Sequence, residues 1–563
     1  MNRLLLRLVI LLTLLTMLLS LVAPVTSAGA QESNDFLPDE VLVKLLQASE
    51  VVGLAADYDL DPTPLDQFGS RPIYRLRILD GASPPDRAAQ LASDSRVVYA
   101  EPNFVGRAPE GVQRVSWPKG DESGDYVEQW AAGMIRLPEA HTLTRGAGIT
   151  VAVLDTGVDL SHPALAGRLV DGFDFVDLDA DPSEVGSAEQ NLHYGHGTHV
   201  AGLIALVAPE ARIMPLRVLD EDGSGDIWVL AEALAYAINP DGNLNTPDGA
   251  DVINLSLSTT HETRLLAEIV ASVTCEQDDD PGEDDDCLVS PDQHGAVVVA
   301  AAGNNGSSIP EYPAAEGVIG LLSVAASTQT DTLAAFSNYG SWVHVAAPGE
   351  GILSSVPGGG YAVWSGTSMA TPLVAGEAAL IRAVNSSFSA ADVVGHIISK
   401  SESINGPVPK RVDLAAALNI PMMGEYRCTS TVHWITADNL VVPPGETCNL
   451  VGARIMGTLK VEEGATLSAS GLYVKGSIQA KKAASVTISD STIEGSLQVE
   501  EGGSAQLEAS HIGSGALFVK NTGGLSIWNN TINGNLQCKE NSLMPTGGGN
   551  IIQGNKEEQC SGL

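Results

Sequence analysis

The sequence predicts an α/β protein. A central parallel sheet carries helices on both faces, a small α+β unit precedes it, and an all-β domain, read as a short β-solenoid, follows it. Three observations support this. Between Tyr126 and Pro421, apolar runs of strand length alternate with helical patterns, as in a parallel sheet whose crossovers are helices. From Asp39 to Asn103, three β-like runs accompany one helical stretch. Beyond Met423, small and β-branched residues recur with a period of about 19 or 20 residues.

The chain opens with Arg3 and Arg7 at the head of an almost unbroken apolar run from Leu4 to Val22, and small residues follow in Thr26-Ser-Ala28-Gly-Ala30. That is the pattern of a secretory signal peptide, with cleavage after Ala28 or Ala30; an uncleaved signal anchor is the alternative. No later stretch is long enough to span a bilayer. The expected organisation is a signal peptide at 1–30, an α+β unit at 31–106, a linker and processing region at 107–125, an α/β domain at 126–421 and a β-repeat domain at 422–563. At 563 residues with 44% hydrophobic content, the chain can bury a substantial core. Its formal charge of -39 argues against nucleic-acid binding, which needs clustered Lys and Arg. The same charge fits a secreted acidic protein or one adapted to high salt.

In the α+β unit the strands are expected at Val41-Leu-Val-Lys-Leu-Leu46, Pro72-Ile-Tyr-Arg-Leu-Arg-Ile-Leu79 and Val97-Val-Tyr-Ala-Glu-Pro-Asn103, with a helix over 85–93. The region 107–124 is rich in Gly, Pro and charge, as linkers are.

In the central domain the clearest strands are 149–154, 212–219, 252–255 and 297–302. Asp155 ends the first, Ser256-Leu-Ser258 follows the third, and Gly303-Asn304 follows the fourth. Open α/β sheets bind ligands beyond the carboxyl ends of their strands. Three polar groups are thus expected on one edge.

His196 opens the apolar helical segment Val200-Ala-Gly-Leu-Ile-Ala-Leu206. Ser368 precedes Pro372-Leu-Val-Ala-Gly-Glu-Ala-Ala-Leu-Ile381, a helix with its proline expected early, where the missing N–H costs little. A serine at a helix start lies near unsatisfied N–H groups that stabilise developing negative charge. The three residue types have separate duties. A serine hydroxyl attacks a carbonyl when an imidazole takes its proton and a carboxylate holds the imidazole's tautomer. His193, His196 and His199 have metal-like spacing, but no acidic base lies between them, so zinc is disfavoured. His199 reads as a packed helix residue and His193 as a loop residue.

The segments Val151-Ala-Val-Leu-Asp155-Thr-Gly-Val-Asp159, His196-Gly-Thr-His199-Val-Ala-Gly202 and Gly366-Thr-Ser368-Met-Ala-Thr-Pro372, in that order, resemble the catalytic triad motifs of subtilisin-like serine proteases, peptidase family S8. The resemblance covers nearly all of residues 126–420. It implies a subtilisin-like fold and a secreted serine endopeptidase with Ser368 as nucleophile, His196 as base and acid, and Asp155 as its orienting carboxylate. Ala301-Ala-Gly303-Asn304 matches the family's oxyanion segment, implying that Asn304 and the Ser368 N–H hold the oxyanion. The unit at 31–106, closing on Tyr99-Ala-Glu-Pro-Asn103, resembles subtilase propeptides, which assist folding and inhibit in cis. An N-terminal domain retained after secretion is the other reading.

Substrate-binding residues follow by the same matching. Ser224 and Gly225, within Gly223-Ser-Gly225, resemble the edge that pairs with substrate backbone, while Ser256, Leu257, Ser258 and Gly303 resemble the walls of S1, the pocket for the side chain preceding the scissile bond. Ser258 stands where the family usually has glycine, which narrows or polarises S1 and leaves the preferred residue open. A second departure concerns calcium. Ala164 follows Ser161-His-Pro163, and 203–209 lacks an insertion, so the family's usual tight calcium site is expected to be absent. Another calcium site is conceivable in the acidic stretch from Cys275 to Cys287; a solvated insertion closed by a disulfide is the alternative. The chemistry itself requires no cofactor.

The six cysteines suggest sequential pairs, Cys275 with Cys287, Cys428 with Cys448 and Cys538 with Cys560, from among fifteen connectivities. The repeat phases begin at Gly457, Gly476, Gly495, Gly515 and Gly534. A β-sandwich competes with the solenoid. The role of this domain is open between attachment to a cell-surface or extracellular polymer and a stabilising appendage. The expected partners are polypeptide substrates and the chain's own propeptide. The competing reading from another class is a noncatalytic surface-binding protein with a vestigial protease domain, which the intact triad and oxyanion residues oppose; an esterase using the same nucleophile is also weaker.

Overall fold

The computed structural model describes residues 35–109, 123–243, 246–275, 287–288, 294–404, 406–408, 410–422 and 424–563. The expected signal peptide at 1–30, most of the linker and the acidic loop considered for calcium lie outside the described residues. The chain divides into two compact units between Val105 and Gly106.

In the first unit the strand Phe36–Leu45 is central, antiparallel to Ile73–Arg77 on one side and to Val97–Arg107 on the other. Helix Pro84–Leu91 begins where Ser83 accepts from the Asp86 N–H and a proline fills the first helical position. With Val51–Asp57 it belongs to a two-layer α+β unit. Val41, Val43, Leu45, Leu76 and Leu91 form its core. Alternate residues of the central strand thus face one way, as its period-two geometry requires.

The second unit contains a nine-stranded sheet. From one edge to the other the strands are Glu402–Ser403, Lys410–Arg411, Val345–Pro348, Leu321–Ser327, Val297–Ala301, Val252–Leu255, Thr150–Asp155, Arg212–Arg217 and Phe173–Asp174. All neighbouring pairs are parallel except the outermost, Glu402–Ser403 with Lys410–Arg411. Val151 and Val153 share a core with helices His196–Val207 and Thr367–Val384. Ala152 and Leu154 are equally buried and, alternating with them, face the opposite side. Burial on both faces explains why these strands are continuous apolar runs. The helix bearing Ser368 starts at Thr367, about a turn before Pro372, so the proline lies inside the helix and not at its start.

From Glu425 onward the region is all-β. Three sheets of eight, seven and seven strands run through it, and each strand pairs in parallel with the equivalent strand of the next repeat. Leu459, Ile478, Leu497, Ala516 and Leu536 follow one another in register across one sheet and are all buried. The sandwich alternative needs antiparallel sheets. Buried amides also stack between repeats: Asn521 Nδ2 donates to Asn541 Oδ1, and Asn530 Nδ2 to Asn550 Oδ1, each at 3.0 Å. Disulfides join Cys275 to Cys287, Cys428 to Cys448 and Cys538 to Cys560. The second lies at the first repeat and the third at the last.

Candidate active site

Asp155 is the last residue of its strand, and His196 is the first residue of its helix. His196 Nδ1 and Asp155 Oδ1 are 2.7 Å apart, and both side chains are buried. Asp155 Oδ1 also accepts from the Thr156 N–H at 2.8 Å, which anchors the carboxylate before it orients the ring. Gly197 makes the approach possible: a Cβ there would collide with the Gly157 carbonyl and crowd Asp155. His199, one turn on, has a different role. It stacks on Trp364 at 4.6 Å and shares a 3.0 Å hydrogen bond with the Ala362 carbonyl, and burial pushes its pKa down to about 3. It is a neutral packing residue, as expected from the sequence.

Ser368 lies in the first turn of the helix Thr367–Val384, after Gly366. Pro372 has no N–H to give to the carbonyl four residues back, which is that of Ser368. Ser256 Oγ donates to that carbonyl instead, at 3.1 Å. Ser368 Oγ donates to the Ser256 carbonyl at 3.3 Å. The strand-end serine therefore fixes the serine-bearing turn to the sheet.

Asn304 follows strand Val297–Ala301. Its Oδ1 accepts from the Thr367 N–H at 2.8 Å and from Thr367 Oγ1 at 3.0 Å. With the oxygen so occupied, the NH2 end is the donor side, as an oxyanion donor requires. Thr367 Oγ1 also accepts from the Gly303 N–H at 3.1 Å. Leu255 is in register with both Leu154 and Ala300. Asp155, Ser256 and the Gly303–Asn304 corner therefore share one sheet edge.

The residues matched to substrate binding flank an extended segment of the chain. Within the second unit, the segment Gly106–Ala108 lies between Ser224–Asp226 and Ser258. The Arg107 N–H donates to the Ser258 carbonyl at 2.8 Å and the Ser258 N–H to the Arg107 carbonyl at 2.9 Å; the Ala108 N–H donates to the Gly223 carbonyl at 2.9 Å. This is main-chain strand addition. Beside Gly106, Leu257 joins Val218, Leu219, Ile227 and Leu230 around a small apolar hollow that Gly225 also lines.

Two acidic residues were not legible as site residues. Glu184 is half-buried and accepts from Thr198 N, Thr198 Oγ1 and Gly195 N at 3.0, 3.0 and 3.1 Å, and from Thr156 Oγ1 at 3.2 Å. It thereby ties the residue after Asp155 to the helix that begins at His196. Burial pushes its pKa up to about 7. No local motif marks it. Glu311 accepts from Ser258 Oγ at 2.6 Å, and the only sequence signal for it was the serine at 258.

A parallel α/β sheet with an Asp-His pair and a helix-borne serine at its carboxyl edge defines the subtilisin class of serine peptidase. Residues 146–418 match the profile of the subtilase family, Peptidase_S8. The chain is 38% identical over 288 residues to thermitase of Thermoactinomyces vulgaris, covering 49% of this chain and 90% of that protein. It is 40% identical over 305 residues to a thermophilic serine proteinase of Bacillus sp. (strain AK1), covering 52% of this chain and 64% of that protein. A crystal structure of fervidolysin from Fervidobacterium pennivorans, described as a keratinolytic enzyme related to subtilisin, shares the fold with a TM-score of 0.55 at 23% identity, over 70% of this chain and 64% of that one. The chain belongs to the subtilase family of serine endopeptidases.

Proposed function

We propose that this chain is a secreted endopeptidase, made as a zymogen, that hydrolyses peptide bonds through an acyl-enzyme on Ser368. The observation that carries the reading is the 2.7 Å contact between His196 Nδ1 and Asp155 Oδ1. It leaves Nε2 as the nitrogen that takes the Ser368 proton while Oγ attacks the substrate carbonyl. Asn304 Nδ2 and the Ser368 N–H receive the negative charge that develops on the carbonyl oxygen. One such donor lowers the barrier by about 2.7 to 4 kcal/mol, a magnitude measured in subtilisin itself and so not independent of this family. The protonated His196 then gives its proton to the leaving amine, and water attacks the acyl ester by the same route in reverse.

The unit at 31–106 acts as an inhibitory propeptide, and the linker that follows it is the processing region. The strand-like seating of Gly106–Ala108 between Gly223 and Ser258 supports this, because a tethered segment occupies the groove at high effective concentration. The N-terminal sequence pattern supports export. No helix among the described residues is long and apolar enough to cross a membrane. The C-terminal region is a short β-solenoid that stabilises the catalytic domain. Its Arg454 shares Asp331 with the buried Arg411, and its Trp434 packs against Gly133.

The test is expression of the wild type and Ser368→Ala with secretion, N-terminal processing and digestion of unfolded protein followed together. The reading predicts an exported, processed and active wild type and an exported, unprocessed and inactive variant. Self-processing and digestion by the variant would refute it.

A further inference from the structure

Glu311 is a buried carboxylate with 5% exposure, placed between the two segments read as the S1 walls. Tyr312, the next residue, exchanges main-chain hydrogen bonds with Thr259, the residue after Ser258, at 2.8 and 2.9 Å. On the other side a Cβ at Gly303, whose φ is +96°, would collide with Glu311 Oε2. Asn305 Nδ2 and Asn338 Nδ2 donate to Oε1 at 2.6 and 2.8 Å, and Ser258 Oγ donates to Oε2 at 2.6 Å. Asn338 is fixed as a donor because its Oδ1 already accepts from the Asn305 and Ser307 N–H groups, both at 3.0 Å.

All three partners donate, which is the environment of an acceptor-only anion. All three are neutral, and among the described residues no ion pair joins Glu311. A carboxylate removed from water without a cation is costly, so its charge is incompletely compensated by the protein alone. Its acceptor sites are also incompletely used: Oε1 holds two donors, whereas Oε2 holds one. Oε2 is the oxygen that packs directly against Gly303, the residue matched to an S1 wall.

We propose that Glu311, held by Ser258, Asn305 and Asn338, determines specificity in S1, and that this protease cleaves after Lys or Arg. The substrate's cationic side chain donates to Oε2 and supplies the charge the pocket lacks. Ser258, the residue that departs from the family's glycine, is the donor that orients this oxygen. The inference rests on the proposed endopeptidase function and on the location of S1.

The test is profiling of the full, processed protein with a peptide library varied at the residue before the scissile bond, for the wild type, Glu311→Gln and Glu311→Asp. Wild type is expected to favour Lys or Arg over Leu, Met and Phe by at least about tenfold in kcat/KM. Glu311→Gln should lose about tenfold to a hundredfold on basic substrates and leave the apolar ones within about threefold. Glu311→Asp should retain a basic preference and serves as the folded control should the Gln variant fail to fold. An apolar preference in the wild type, or an equal loss on all substrates in Glu311→Gln, overturns the proposal. A serine-directed fluorophosphonate separates the two levels. Labelling without a basic preference defeats this inference alone, whereas no labelling of the wild type defeats the endopeptidase reading.

Discussion

Ser256 Oγ donates to the main-chain carbonyl of Ser368 at 3.1 Å, in the place where an intrahelical bond would stand if residue 372 were not proline. The helix gives up one internal bond at Pro372, and a strand-end hydroxyl ties its first turn to the sheet. Ser256→Ala should therefore leave a buried carbonyl unsatisfied and lower stability by about 1 to 3 kcal/mol. Pairing it with Pro372→Ala, which restores the N–H, should recover part of that loss. Denaturant midpoints of the two single variants and the double variant measure the coupling; strict additivity would remove the compensation argument.

Glu184 should make stability fall with pH in a defined window. Burial is the largest cause of its shift, from 4.5 to about 7, and hydrogen bonds from Thr198 and Gly195 oppose it. The folded chain thus binds this proton more tightly than the unfolded chain. The contribution to stability is full below about pH 4.5 and is lost as pH rises to about 7. The change is up to roughly 3 kcal/mol at 1.36 kcal/mol per unit. Unfolding free energies of the wild type and Glu184→Gln across this range should differ by an amount that varies with pH. A constant difference would contradict the assignment.

Glu377 offers a stabilising substitution. It is buried in the helix Thr367–Val384, both carboxyl oxygens lack partners among the described residues, and burial pushes its pKa well above 4.5. Its neutral form is favoured, so the penalty of burying it is smallest below pH 4.5 and grows as pH rises. Glu377→Leu, which removes the polar group, should raise stability by about 1 to 3 kcal/mol, with a larger gain at alkaline pH. Thermal melts at pH 5 and 9, on the order of two units either side of neutrality, decide the sign. A loss at both pH values would mean that the oxygens have partners after all.

Asp331 couples the C-terminal β region to the catalytic domain by accepting from Arg411 Nε at 2.8 Å and from Arg454 Nη2 at 2.7 Å. Arg411 is 1% exposed, so losing this partner is costly even with Glu402 still beside it. Asp331→Ala should lower stability by about 3 kcal/mol. It should also make the junction at 419–424 more sensitive to proteolysis. An unchanged digestion pattern would argue that packing of Trp434 suffices for docking.

The sequence marked Asp155, His196 and Ser368 because each follows a local rule. Asp155 breaks an apolar strand at its carboxyl end, and His196 and Ser368 stand where apolar helices begin. Glycine phases at a fixed period disclosed the repeats, and sequence proximity disclosed the disulfides. Glu184, Glu377 and Glu311 were not legible, since their roles come from burial and from partners distant in sequence. Pro372 shows a related limit. Proline suggested a helix start, but the helix begins earlier because Ser256, on another element, makes up for the missing N–H. Ser258 was visible as a departure, yet only the fold brings it to Glu311.

The most direct measurement of the central claim is localisation of a fluorophosphonate adduct by peptide mass spectrometry on the wild type, Ser368→Ala and His196→Ala. The account predicts one stoichiometric adduct on the peptide carrying Ser368, none in Ser368→Ala and severely slowed formation in His196→Ala. An adduct on another residue, or undiminished proteolysis by Ser368→Ala, would contradict it.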